Sequence, residues 1–139
     1  MRLAGVRLTG TVKIEVDVPS GLPLIMIKHQ KLSQVLLNLM INVADALDEN
    51  PAVGGGKVRL AATRDGAQVR MVVEDNGPGL PEAVLARLFE PFFTTKSPGK
   101  GTGLGLALSR EFVQRSGGTL TAENRSEGGA RFILKLPTA

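Results

Sequence analysis

Leu32, Val35, Leu36, Leu39, Met40, Val43, Ala46 and Leu47 recur at intervals of three and four and make one apolar stripe down a helix over residues 31–47. A helix with one apolar stripe must bury it against another layer. The flanking segments suggest what that layer is. "VKIEVDV" alternates, with Val12, Ile14, Val16 and Val18 on one face and Lys13, Glu15 and Asp17 on the other, the pattern of a half-buried strand. "KVRLAAT" and "AQVRMVVED" alternate around Arg64, Asp65 and Gly66 and predict a hairpin. "LGLALSREFVQRS" predicts a second long helix stopped by Gly117 and Gly118, and "TLTAEN" with "ARFILKL" predicts a closing hairpin around Glu127, Gly128 and Gly129. "LIMI" is a short strand candidate, and "PEAVLARLF" a short helix with Pro81 in its first turn. "ENPAVGGG" and residues 90–103 read as loops from their Pro and Gly content. Hairpins and helices fall in separate runs, so the expected class is an α+β sandwich rather than a doubly wound parallel sheet.

A chain of 139 residues is one domain's worth, and no interior linker or repeat divides it, so residues 1–139 are expected to form a single domain. Hydrophobic residues make up 42%, enough for a core. Cysteine is absent, which excludes disulfides, thiolate metal sites and a cysteine nucleophile. No apolar run is long enough to span a bilayer, and no signal-peptide pattern opens the chain. The net charge of +4 fits an anionic partner, whether nucleotide, nucleic acid or acidic protein, without choosing among them.

Three polar features interrupt the apolar pattern. Asn38, Asn42 and Asp45, spaced i, i+4, i+7, fall on one line beside the helix stripe. Amides next to a core need partners. The line is either a helix edge bonding neighbouring loops or a set of hard oxygen ligands for Mg2+. "DNGPGL" places Asp75 at a strand end, where a carboxylate can accept from an exocyclic amine; a plain strand-ending turn has the same composition. "GKGTGLGL" opens the second long helix with a glycine-rich loop, suited either to phosphate at a helix N-terminus or to a hinge. It is not a Walker loop, since no Gly-Lys-Ser/Thr triplet opens the helix.

Taken together and in order, these segments resemble the sensor histidine kinases. "QVLLNLMINVADA" is similar to their asparagine box, "DNGPGL" to the first glycine box, "LFEPFFTTK" to the phenylalanine box, "GTGLGL" to the second glycine box and "EGGARFILKLP" to the closing hairpin. "FEPFFTTK" and "NVADA" look like the nitrogen-regulation type. The resemblance runs from about Val12 to Pro137. It implies the ATP-binding sandwich shared with gyrase, heat-shock chaperones and mismatch-repair ATPases: two layers, with helices on one face of a mixed, mostly antiparallel sheet.

The roles implied by the resemblance are specific. Asn42 would hold Mg2+ on the phosphates of ATP, with Asp45 on the same line of the nucleotide site. Asp75 would accept from the adenine amino group, and Gly77 and Gly79 would shape the adenine pocket. Gly101, Thr102, Gly103, Leu104, Gly105 and Leu106 would cradle phosphates. Lys96, in a lid, would neutralise the γ-phosphate, with Phe89, Phe92 and Phe93 anchoring that lid. Asn38 stands where the superfamily's ATPases carry a water-activating Glu. An amide cannot take that proton, which favours transfer to an acceptor over hydrolysis. Asp45 stands where many sensor kinases have Lys, Ala130 where Thr is common, and Lys28 where an Asp usually caps the helix. The one histidine, His29, lacks the acidic neighbour and the Pro of a phosphoacceptor. The implied partners are therefore ATP, a histidine-containing dimerisation domain outside this chain and, indirectly, a response regulator. No nucleic acid or membrane contact is implied. The setting implied is a monomeric domain in the bacterial cytoplasm, including the cytoplasmic part of a membrane-bound sensor. Two other readings stay open: a nucleotide-binding module without turnover, and a superfamily ATPase.

Overall fold

The structure, a computed structural model, describes residues 2–9, 12–17, 29–49, 56–91 and 105–138, with side chains described at 15–17, 30–43, 56–91 and 105–138. Among the described residues six strands form one sheet: β1 (Arg2–Thr9), β2 (Val12–Asp17), β3 (Gly56–Asp65), β4 (Gln68–Asp75), β5 (Thr119–Asn124) and β6 (Ala130–Pro137), in the order β1-β2-β3-β4-β6-β5. The helices are α1 (His29–Glu49), α2 (Glu82–Arg87) and α3 (Gly105–Arg115). The β2–β3 pair is parallel and the other four pairs are antiparallel. The parallel pair needs a crossover, and α1 is the helix between those two strands. This is the expected mixed, mostly antiparallel sheet of an α+β sandwich.

Alternation sets which face of the sheet is buried. Val58, Leu60 and Ala62 on β3, Val69, Met71 and Val73 on β4, and Phe132, Leu134 and Leu136 on β6 all point into one core. From the helix layer, Val35, Leu39 and Val43 of α1 and Val113 of α3 meet them, so the stripe read from sequence is buried along its described part. Leu32, Leu36, Met40, Leu106 and Phe112 pack at its margin. Each fully buried aliphatic side chain contributes roughly 1.5–3 kcal/mol.

The β3–β4 hairpin closes as expected, with Asp65 opposite Gln68. Helix α3 ends in a Schellman pair: Gly118 N–H donates to Val113 O at 3.0 Å and Gly117 N–H to Gln114 O at 3.0 Å. Strand β1, not anticipated from the sequence, pairs with β2 through a register that shifts between Leu3 and Val6 and again between Arg7 and Thr9. The short strand expected at "LIMI" lies outside the described residues.

Candidate functional site

Strand β4 puts a carboxylate at a core position. Val69, Met71 and Val73 face the helices, and the next residue in that alternation is Asp75, directly opposite the buried Val58. Asp75 is 6% exposed. Its Oδ1 accepts from Gly77 N–H at 2.8 Å and from Ala130 N–H at 3.3 Å. Both bonds fall on one oxygen, so among the described residues no donor reaches Oδ2. Burial pushes the Asp75 carboxyl above its ordinary range. The two N–H donors and the nearby Arg125 pull it back without cancelling that effect, and Glu74 adds to the rise. A half-satisfied, desolvated carboxylate of this kind suits a ligand that brings its own donor.

The hairpin between β5 and β6 braces the loop after Asp75. Arg125 Nη1 donates to Asp75 O at 2.7 Å. Asn124 clasps Leu80 at both backbone atoms: Leu80 N–H donates to Asn124 Oδ1 and Asn124 Nδ2 donates to Leu80 O, each at 2.8 Å. On the other flank, Lys57 N–H donates to Asn76 Oδ1 at 2.7 Å. The fit leaves room for glycine alone at two places. Gly79 has φ +82°, and a Cβ there would lie 2.7 Å from Asn124 Oδ1. Gly129 has φ +92°, and a Cβ there would lie 2.0 Å from the Asp75 carbonyl oxygen. Behind the sheet, Glu74 faces the opposite way from Asp75. Three guanidiniums converge on it, from Arg59, Arg125 and Arg131, at 3.6, 3.7 and 3.6 Å. These ion pairs hold the rear of the hairpin.

The polar line on α1 is built from the helix outward. Asn42 Nδ2 donates to Asn38 O, one turn back, at 2.7 Å. That bond uses the amide's donor side and leaves Oδ1, a neutral hard oxygen, as the group Asn42 can offer to a cation. The donor set therefore fits Mg2+, which prefers such oxygens and shares its shell with phosphates. Asn38 Nδ2 donates to Ser109 Oγ on α3 at 3.3 Å. A Cβ placed on Gly105, the first residue of α3, would touch the same amide at 3.5 Å. Asn38, Asn42 and the start of α3 thus meet at one place. Phe89 packs edge-on against Phe132, with centroids 6.3 Å apart, and Arg110 stacks over it at 5.1 Å.

Of the residues singled out from sequence, Asp75, Gly77 and Gly79 form one constellation, and Asn38, Asn42 and Gly105 another, with Leu106 packed on the core beneath. Asp45 lies on α1, and its side chain is outside the described set, as is that of His29. Lys96, Phe92, Phe93 and residues 101–104 lie outside the described residues, with most of the proposed lid. Asn124, Arg125 and Ser109 are site neighbours with no counterpart among the residues singled out above, and Gly129 was singled out only as a turn residue. For Gly129 there was a signal, a Gly-Gly pair in a hairpin. Asn124, Arg125 and Ser109 had none, because their partners lie 44, 50 and 71 residues away.

Residues 27–139 match the family described as histidine kinase-, DNA gyrase B- and HSP90-like ATPase. The chain belongs to that family. Within it, the likeness is to histidine kinases. The two-component sensor PprA of Pseudomonas aeruginosa is 46% identical over 91% of this chain, which spans 14% of that protein's length. The catalytic domain of histidine kinase ThkA superposes with a TM-score of 0.74 at 30% identity, covering 91% of this chain and 79% of that one. ThkA has also been solved in complex with the response regulator protein TrrA. Full-length ShkA in complex with AMPPNP superposes with a TM-score of 0.73 at 34% identity, covering 92% of this chain and 26% of that one. The domain is thus a histidine kinase catalytic ATPase domain, with a fold that binds nucleotide. Among its described residues no helix is long and apolar enough to cross a membrane.

Proposed function

We propose that this domain binds Mg-ATP and donates its γ-phosphoryl group to a histidine on a separate dimerisation domain, as one step of two-component signalling. Asp75 carries the proposal. It is a buried carboxylate with one oxygen fixed by backbone N–H groups and the other without a described donor, which suits the amino edge of adenine. Guanine presents an oxygen at that edge, so two acceptors would face each other and the site favours ATP over GTP.

Asn42 would hold the metal through Oδ1, and bound Mg2+ would supply charge neutralisation at the phosphates. The N–H groups opening α3, with residues 101–104 before them, would take the phosphates at a helix N-terminus. Lys96 would complete the neutralisation at the γ-phosphate. Asn38 offers an amide where a hydrolase needs a base, so in-line attack falls to an acceptor that brings its own nucleophile. The analogue in the ShkA complex and the regulator in the ThkA complex support this reading. The residues 1–139 would then be one catalytic domain, and the sensor, acceptor and regulator would be supplied by other parts.

Titration calorimetry with ATP tests the binding half of the proposal. Wild-type affinity should drop when Mg2+ is replaced by EDTA, and Asn42→Ala should abolish that difference while still binding ATP. Equal Mg2+ dependence in both proteins would remove Asn42 from the metal site.

A further inference from the structure

Among the described residues only two polar side chains are buried, Asp75 and Ser109. Asp75 has a role in the reading above. Ser109 occupies a core-facing position of α3 and is 1% exposed, where an apolar residue would pack at lower desolvation penalty. Its hydroxyl accepts from Asn38 Nδ2 at 3.3 Å. Asn38 in turn accepts, at its backbone oxygen, the 2.7 Å bond from Asn42 Nδ2. One turn before Ser109 stands Gly105, where α3 opens against the Asn38 amide. A continuous path therefore runs from the start of α3 through Ser109 and Asn38 to Asn42.

We propose that the Asn38–Ser109 hydrogen bond is a strut that fixes α3 against α1, so that Ser109 is a positioning residue for the triphosphate end of the nucleotide. The inference rests on the nucleotide reading above. Asn42 belongs to α1 and the phosphate-facing N–H groups belong to α3, so metal and phosphates are held by two separate elements. Among the described residues the two helices otherwise meet through contacts with little directionality: Lys31 Nζ sits 4.2 Å from the Phe112 ring centroid, and apolar side chains of both helices pack on the core. Such contacts tolerate sliding. A hydrogen bond between a buried hydroxyl and a half-buried amide does not, because a shift of one ångström leaves both groups unsatisfied. Among the described residues no hydrogen bond joins Asn38 or Ser109 to Asp75 or its bracing hairpin, so the strut should govern phosphate binding more than adenine binding.

A double-mutant cycle tests this with two ligands. Ser109→Ala, Asn38→Ala and the double variant are titrated with Mg-ATP and, separately, with adenosine, which reports the Asp75 pocket without phosphates. Each single variant should weaken Mg-ATP by about five- to tenfold, and the double variant should be no weaker than the weaker single. Adenosine affinity should change less than twofold in all three. The strut is wrong if ATP and adenosine weaken together, if the two single effects multiply in the double variant, or if neither single variant moves ATP. A wild-type domain that binds neither ligand would instead overturn the nucleotide reading, and the strut with it.

Discussion

Asp75 joins two demands that pull apart. Burial raises its pKa, so the folded chain holds that proton more tightly than the unfolded chain does. Stability is then greater at low pH, and is lost as pH rises through the window between the ordinary carboxylate value and the raised one. In the proposed function ligand binding has the opposite sign, because protonation would place a donor on Oδ2, the oxygen that would face the adenine amine. ATP affinity should therefore fall as pH drops through the raised Asp75 pKa, beginning above the usual carboxylate range. Binding measured across that range in wild type and Asp75→Asn checks this. A wild-type profile parallel to that of the variant would contradict it. At neutral pH, Asp75→Asn should weaken ATP by ~1–3 kcal/mol, roughly ten- to a hundredfold, since a donor replaces the needed acceptor. Its thermal midpoint should hold or rise, since no charge remains to be buried. A variant that melts early yet binds ATP normally would make Asp75 a structural residue only.

The β5–β6 hairpin was legible from the sequence as an element but not in its role. Its strands were legible from alternation, and its Gly-Gly turn from composition. Its work on the adenine loop was not, because a clasp between Asn124 and Leu80 is a tertiary fact with no local period. Strand β1 itself was not legible: Gly5 breaks its alternation, and β1 shifts register against β2 between Leu3 and Val6 and again between Arg7 and Thr9, so no clean period-2 pattern marks it. By contrast α1 was readable nearly to its ends, since its apolar stripe repeats in the sequence from Leu32 to Leu47. Its polar line was readable as positions but not as bonds. Asn38 alone could not announce Ser109, which reads in sequence as a gap in the apolar face of α3. If the clasp braces the pocket, Asn124→Ala should raise the Kd for ATP about three- to tenfold and speed amide exchange at Leu80. Unchanged exchange at Leu80 would show the clasp to be dispensable. Gly129→Ala should be harsher, losing about 2 kcal/mol or more of stability. It combines a left-handed φ with a Cβ set against the Asp75 carbonyl. A chemical-denaturation midpoint equal to wild type would contradict that fit.

As a whole the molecule divides its work by layer. The sheet supplies the carboxylate and the hairpin that braces it. In the proposed function the helix layer would supply the oxygen of Asn42 and the phosphate-facing start of α3. Asn38 joins the two helices through Ser109 and would offer no base for water. This arrangement suits a phosphoryl donor that waits for an acceptor. Its most direct test supplies γ-labelled Mg-ATP and follows both fates of the label, with histidine-bearing dimerisation domains of sensor kinases present and absent. Acid-labile label should appear on the acceptor's histidine and be lost in Asp75→Asn and Asn42→Ala, with phosphate release near background when no acceptor is present. Steady phosphate release without acceptor, alongside unlabelled histidine when acceptor is added, would contradict it and mark the domain as a hydrolase.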